Sequence, residues 1–80
     1  MKYFVYILEC NDKTLYIGFT TDLTRRVEEH NSEKSITKYT RGRRPVVLKY
    51  HEEFENKPDA LAREWELKHL TKVEKLKLIK

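Results

Sequence analysis

The chain has 80 residues and a mass of 9.7 kDa, room for one domain and not for two. Seventeen Lys and Arg against thirteen Asp and Glu leave a formal charge of +4, while 39% hydrophobic and 11% aromatic residues exclude a disordered chain. A domain this small buries only roughly 60% of its unfolded surface, and no run approaches the roughly 20 apolar residues that a membrane span requires.

Residues 3–9 and 15–20 are rich in β-branched and aromatic types, with the turn-forming Asn11, Asp12 and Lys13 between them, so they read as a β-hairpin. The first segment carries one positive charge and lacks a small-residue cleavage site, which makes it a strand rather than a signal peptide. It ends at Cys10, whose solitary thiol can form neither an internal disulfide nor a zinc site by itself. A cytoplasmic domain without a nucleotide cofactor is expected.

Thr20, Thr21 and Asp22 are helix N-cap candidates, and residues 22–31 carry Leu23, Val27 and His30 at helical spacing. Residues 32–44 have no apolar period. They hold Lys34, Lys38, Arg41, Arg43 and Arg44 around Tyr39, with Gly42 as a bend, and read as a long basic loop. A third strand is expected over 46–54, with Val46, Leu48 and Tyr50 on one side and Val47, Lys49 and His51 on the other. Asn56 caps a second helix with Pro58 and Asp59 in its first turn, running to His69 or Leu70. Thr71 caps a short last helix through Leu78, with Leu70, Val73, Leu76 and Ile79 as its apolar positions. The order β-β-α-β-α-α predicts an α+β domain with a small, three-stranded, largely antiparallel sheet flanked by helices.

Helical geometry singles out polar residues set against this pattern. With Leu23 at zero, Val27 falls near +40°, His30 near about −20° and Arg26 near about −60°, while Arg25 points away. A snorkelling arginine and a satisfied core histidine account for both positions. With Leu61 at zero, Trp65 falls near about +40°, Ala60 near −100° and Leu67 near −120°. Glu64, near about −60°, lies inside that arc, with Arg63 and Glu66 outward. A carboxylate there needs a partner: either Lys68, four residues on, or a site into which it is aimed. In the hairpin, Tyr6 and Tyr16 share one face of the sheet if opposed residue numbers have an even sum, and separate if the sum is odd.

Taken together, Tyr6, Tyr16, Arg26, His30 and Glu64 resemble the GIY-YIG nuclease superfamily, and specifically its short stand-alone bacterial members. Val5-Tyr6-Ile7 stands where the first motif is expected and Tyr16-Ile17-Gly18 matches the second literally, with the second tyrosine ten residues after the first. Arg26 follows ten residues later, His30 four after that, and Glu64 stands on a later helix. The stretch from Lys38 to Val46 is also similar to those short members. Two positions depart from the pattern: Phe19 replaces a lysine common after the second motif, and no asparagine follows Glu64.

The resemblance implies a metal-dependent endonuclease hydrolysing phosphodiester bonds, with DNA ahead of RNA as partner and repair or recombination as the setting. It implies one divalent ion, Mg²⁺ or Mn²⁺, on Glu64. Arg26 would stabilise the phosphoryl oxygens. A tyrosine whose pKa is lowered by a nearby cation can take a proton from water. By analogy Tyr6 has that role, with Tyr16 and His30 orienting water and phosphate, and His30 stands as the alternative base. The basic segment, through Lys38, Tyr39, Arg41, Arg43 and Arg44, is the expected strand grip, with phosphate contacts from its cations and a base stacked on Tyr39. A weakly or non-catalytic nucleic-acid-binding module with the same fold is the second reading, and a protein-docking domain built on the hairpin edge or the amphipathic C-terminal helix is a third.

Overall fold

The structure is a computed structural model, and it describes residues 1–32 and 37–79. Chain order is β1 (Tyr3–Glu9), β2 (Leu15–Thr20), α1 (Leu23–Asn31), α2 (Lys38–Arg41), β3 (Val47–Phe54), α3 (Lys57–Lys68) and α4 (Lys72–Leu78). The sheet is antiparallel in the order β2-β1-β3, which places Tyr6 on the central strand. The fold class is the expected one.

The hairpin turn is local chemistry. Asp12 accepts hydrogen bonds from the backbone N–H of Thr14 at 3.1 Å and from its hydroxyl at 2.6 Å, and Lys13 takes a left-handed φ of 70°. The register has an even sum: Tyr6 opposes Gly18 and Leu8 opposes Tyr16, so both phenols lie on one face.

On the other side of β1 the pairing slips. Ile7 opposes Tyr50 but Leu8 opposes Leu48, leaving Lys49 as the extra residue of a β-bulge. A one-residue slip reverses which face a side chain takes. Val46 and Leu48 therefore join Tyr6, Leu8 and Cys10, whereas Tyr50 and Phe54 join Val5, Ile7 and Ile17 on the opposite face. The expectation that Val46, Leu48 and Tyr50 share a side fails at this bulge.

Each face has its own cover. α1, capped by Asp22 through a 3.1 Å bond from the Arg25 N–H, lays Leu23, Val27 and His30 over the face that bears Tyr6. α3, capped by Asn56, buries Ala60 and Leu67 against the other face. That packing arc differs from the expected one. Leu61 is 40% and Trp65 63% exposed, the latter stacked on His69 at 4.0 Å, because the sheet lies under the Ala60–Leu67 side of the helix. Arg63, expected to face outward, is half-buried and bonds both Glu52 carboxylate oxygens at 3.1 and 3.0 Å. Glu52 also accepts from Tyr50, so this cluster sets the rotation of α3 on β3.

α4 begins with a full capping box between Thr71 and Glu74. Leu70, Leu78 and Ile79 pack on the core, while Val73 and Leu76, expected among the apolar contacts, are exposed.

The basic segment is not simply a loop. Its described part contains α2, capped by the Thr37 side chain and ended at Gly42, and Lys34 lies outside the described residues. Asn31 ties α1 to the start of the third strand, accepting from Val46 N–H at 2.7 Å and donating to its carbonyl at 3.0 Å. Among the described residues no helix is long and apolar enough to cross a membrane.

Candidate active site

The centre of the site is a tyrosine lying over a glycine. Gly18 faces Tyr6 across the hairpin, and a Cβ built on Gly18 would stand 2.2 Å from the Tyr6 hydroxyl oxygen and 2.3 Å from Cζ. No side chain fits there. The bare backbone lets the phenol cross β2 and reach the last turn of α1.

There His30 is fully buried. Its Nε2 lies 3.1 Å from the Tyr6 hydroxyl and its Nδ1 lies 2.9 Å from Thr40 Oγ1, which is in turn 2.9 Å from Thr37 Oγ1. A hydrogen-bonded chain thus runs from β1 through α1 into α2. Burial pushes the His30 pKa below its ordinary value, and the charge of Arg26 acts in the same direction. The imidazole is therefore neutral at neutral pH and offers one donor and one acceptor. A phenol donating to Nε2 leaves Nδ1–H to donate to Thr40, and this tautomer is assigned from the network.

Tyr6 is 1% exposed, and burial pushes its pKa up to about 12, with Tyr16 adding and Arg26 opposing. The expected lowering by a nearby cation is outweighed by desolvation. Tyr16 differs. It is half-buried, its ring centroid is 5.1 Å from that of His30, and its hydroxyl has no hydrogen-bond partner among the described residues.

Arg26, one turn before His30, is held by Glu29 through Nε at 3.1 Å and reaches the Phe19 carbonyl through Nη1 at 3.4 Å. Glu64 comes from α3, on the far side of the sheet. Its ion-pair partner among the described residues is Lys68 at 3.5 Å, its side chain is 19% exposed, and its charge reaches Tyr6, where it contributes to the raised pKa. Tyr6, Tyr16, Arg26 and His30 thus gather on one face, while Glu64 stands on the helix that covers the other.

The basic segment is more committed than a free grip. Arg43 donates to Asp12 at 2.9 Å and to the Tyr39 carbonyl at 2.7 Å, and its guanidinium lies 4.3 Å from the centroid of the Tyr39 ring. Tyr39 packs on Tyr16 at 5.4 Å between centroids, so its ring is engaged within the protein rather than standing free for a base. Arg44 donates to the carbonyls of Arg41 at 3.0 Å and Asn31 at 3.5 Å, and Lys38 is exposed.

Two structural contributors escaped the sequence reading. Gly18 was legible only as a motif letter, and Thr40 carries no local signal at all.

Among the described residues no group of three His, Cys, Asp or Glu side chains could cage a metal. Glu64 offers one hard carboxylate. That donor set suits an ion such as Mg²⁺, which keeps several waters and takes substrate oxygens beside one or two carboxylates, and does not suit a closed zinc site.

Comparison with known proteins places these residues in context. The family model for the GIY-YIG catalytic domain matches residues 2–77. The UPF0213 protein YsiG of Lactococcus lactis is 54% identical over 99% of this chain and 76% of its own length. A UPF0213 protein of Staphylococcus haemolyticus is 47% identical over 98% of this chain and 94% of its own. The solution NMR structure of a UPF0213 protein from Bacillus halodurans is 46% identical, covers 99% of this chain and 83% of that one, and superposes with a TM-score of 0.63.

Proposed function

Because the chain belongs to the GIY-YIG family, a nuclease superfamily, we propose that it is a divalent-metal-dependent endonuclease that hydrolyses phosphodiester bonds in DNA. The observation that carries the reading is the Tyr6–His30–Thr40 chain laid across Gly18, which joins three separated segments at one point. A core that needed only volume would not bury a phenol, an imidazole and a hydroxyl in mutual hydrogen bonds, since each is costly to desolvate.

In this reading the substrate phosphate lies against the face bearing Tyr16 and Arg26. The planar donors of Arg26, oriented by Glu29, stabilise charge developing on the non-bridging oxygens. Tyr16, not Tyr6, would receive the proton of the attacking water after its own hydroxyl proton has passed to solvent, because its hydroxyl is unengaged by described residues whereas Tyr6 is buried and firmly protonated. Tyr6 is a positioning residue: with neutral His30 it supports the floor under Tyr16. Glu64 would hold the ion, Mg²⁺ or Mn²⁺, which when bound supplies a Lewis acid at the phosphate and favours ionisation of nearby water and phenol.

The test is a cleavage assay on single-stranded, flapped and branched DNA and on RNA, with Mg²⁺ or Mn²⁺, run beside Glu64→Ala. Cleavage by the native protein that Glu64→Ala loses, with binding retained, supports the reading. Binding without cleavage under every condition replaces it with the non-catalytic module.

A further inference from the structure

We propose that a second phosphate-binding groove, walled by Tyr39 and carrying Lys72 and Lys75 of α4, grips the nucleic-acid strand beyond the candidate active site. The inference rests on the nucleic-acid reading above and adds to it a surface on the last helix.

A cavity of about 210 Å³ opens where the hairpin turn, α2 and α4 meet, lined by Thr14, Leu15, Tyr39, Lys72 and Lys75. This is below the roughly 300–1,000 Å³ typical of pockets that enclose a whole small molecule. It suits one phosphate and its sugar in a longer chain better than a free ligand. Two cations line it from one face of α4, three residues apart. Neither has a carboxylate partner among the described residues, and Glu74, the acid between them, is occupied by the Thr71 cap. Two uncompensated ammonium groups over a shallow polar and apolar floor form a point-charge grip for a polyanion.

The groove is continuous with the site through an aromatic row. The His30 ring stacks edgewise on Tyr16 at 5.1 Å, Tyr16 packs on Tyr39 at 5.4 Å, and Tyr39 is the wall of the groove. Tyr39 is fixed there by its hydroxyl, which donates to the Leu15 carbonyl at 3.4 Å, and by Arg43 over its ring. A strand whose scissile phosphate lies beside Tyr16 thus meets Lys72 and Lys75 as it leaves along this row. The contact is to backbone phosphate, so it adds affinity without base preference.

The experiment measures binding of labelled DNA oligonucleotides of graded length across a salt series, for the native chain, Lys72→Ala/Lys75→Ala, Lys72→Arg/Lys75→Arg, and the charge-matched control Lys57→Ala/Lys77→Ala. Loss of two phosphate contacts lowers the slope of log K against log salt by about 2, or about 1 per lysine. The Lys72/Lys75 alanine pair should show that fall and lose the gain in affinity that the native protein makes on longer strands. The arginine pair should retain both, and the control should match the native protein. An unchanged slope for the alanine pair, or an equal fall in the control, overturns the groove while native binding and cleavage leave the endonuclease reading standing. Native protein that binds no nucleic acid of any length overturns both.

Discussion

The phenol of Tyr6 lies so close over Gly18 that a single added methyl group would stand 2.2 Å from its hydroxyl oxygen. The glycine of the second motif is therefore a steric requirement of the tyrosine of the first, imposed by their opposition in the β1–β2 register. Gly18→Ala should cost about 2–3 kcal/mol by overpacking and should break the Tyr6–His30 bond. In a Tyr6→Leu background the same substitution should cost less than about 1 kcal/mol, since the hydroxyl and ring carbon it strikes are gone. Urea denaturation of the four proteins measures the coupling, and strictly additive costs would contradict it.

His30 makes stability depend on pH in a definite direction. Its folded pKa is held below the ordinary 6.5 by burial and by Arg26. The unfolded chain therefore binds the proton more readily, so this contribution is complete above pH 6.5 and is lost as pH falls through the folded value. Exposed Asp12, Glu55 and Glu74, whose pKa values are lowered by hydrogen bonds and ion pairs, act in the same direction but only below their ordinary 3.8 to 4.5. Thermal unfolding between pH 7.5 and 5 should thus show a decline that His30→Phe abolishes.

The same histidine depends on Thr40. Thr40→Val keeps the shape and removes the oxygen that pairs with Nδ1, and it should cost about 1–3 kcal/mol because a buried donor is left unsatisfied. Thr40→Ser should recover most of that loss. Equal stability of the valine and serine variants in equilibrium denaturation would show that the hydroxyl carries nothing.

The two tyrosines should separate kinetically. Tyr16→Phe is expected to lower the cleavage rate by a factor on the order of 10²–10⁴, the usual contribution of a proton-transfer group, with little change in stability. Tyr6→Phe should chiefly destabilise, since its hydroxyl is the partner of His30 Nε2. Single-turnover rates compared with unfolding free energies distinguish the two, and the reverse pattern would return the base role to Tyr6.

Glu64 can be tested against its ion-pair alternative. If its role is the pair with Lys68, a 3.5 Å contact between an exposed ammonium and a largely covered carboxylate, then Lys68→Ala and Glu64→Gln should behave alike. If it holds a metal ion, Glu64→Gln should nearly abolish cleavage while Lys68→Ala leaves it intact, and both should stay within about 0.5 kcal/mol of native stability. Metal-dependent cleavage rates for the two variants decide between these.

How far the sequence reached follows from which forces are local. Caps, turn residues and hydrophobic periods act within a few residues, so Asn11 to Lys13, Asp22, Asn56 and Thr71 mark the element boundaries, and the order and spacing of Tyr6, Tyr16, Arg26, His30 and Glu64 carry the family. Choice of face is not local. The bulge at Lys49, which sends Leu48 and Tyr50 to opposite sides, exists only in the pairing of two distant strands. The side of α3 that is buried was decided by the sheet beneath it and by Glu52 holding Arg63, so Ala60 and Leu67 went inward and Leu61 and Trp65 stayed outside. Thr40 became a partner of His30, and Gly18 the bare floor under Tyr6, because folding brought polar atoms together where water is excluded and each needed a partner or space. Local pattern named the chemical groups; tertiary packing chose which of them meet.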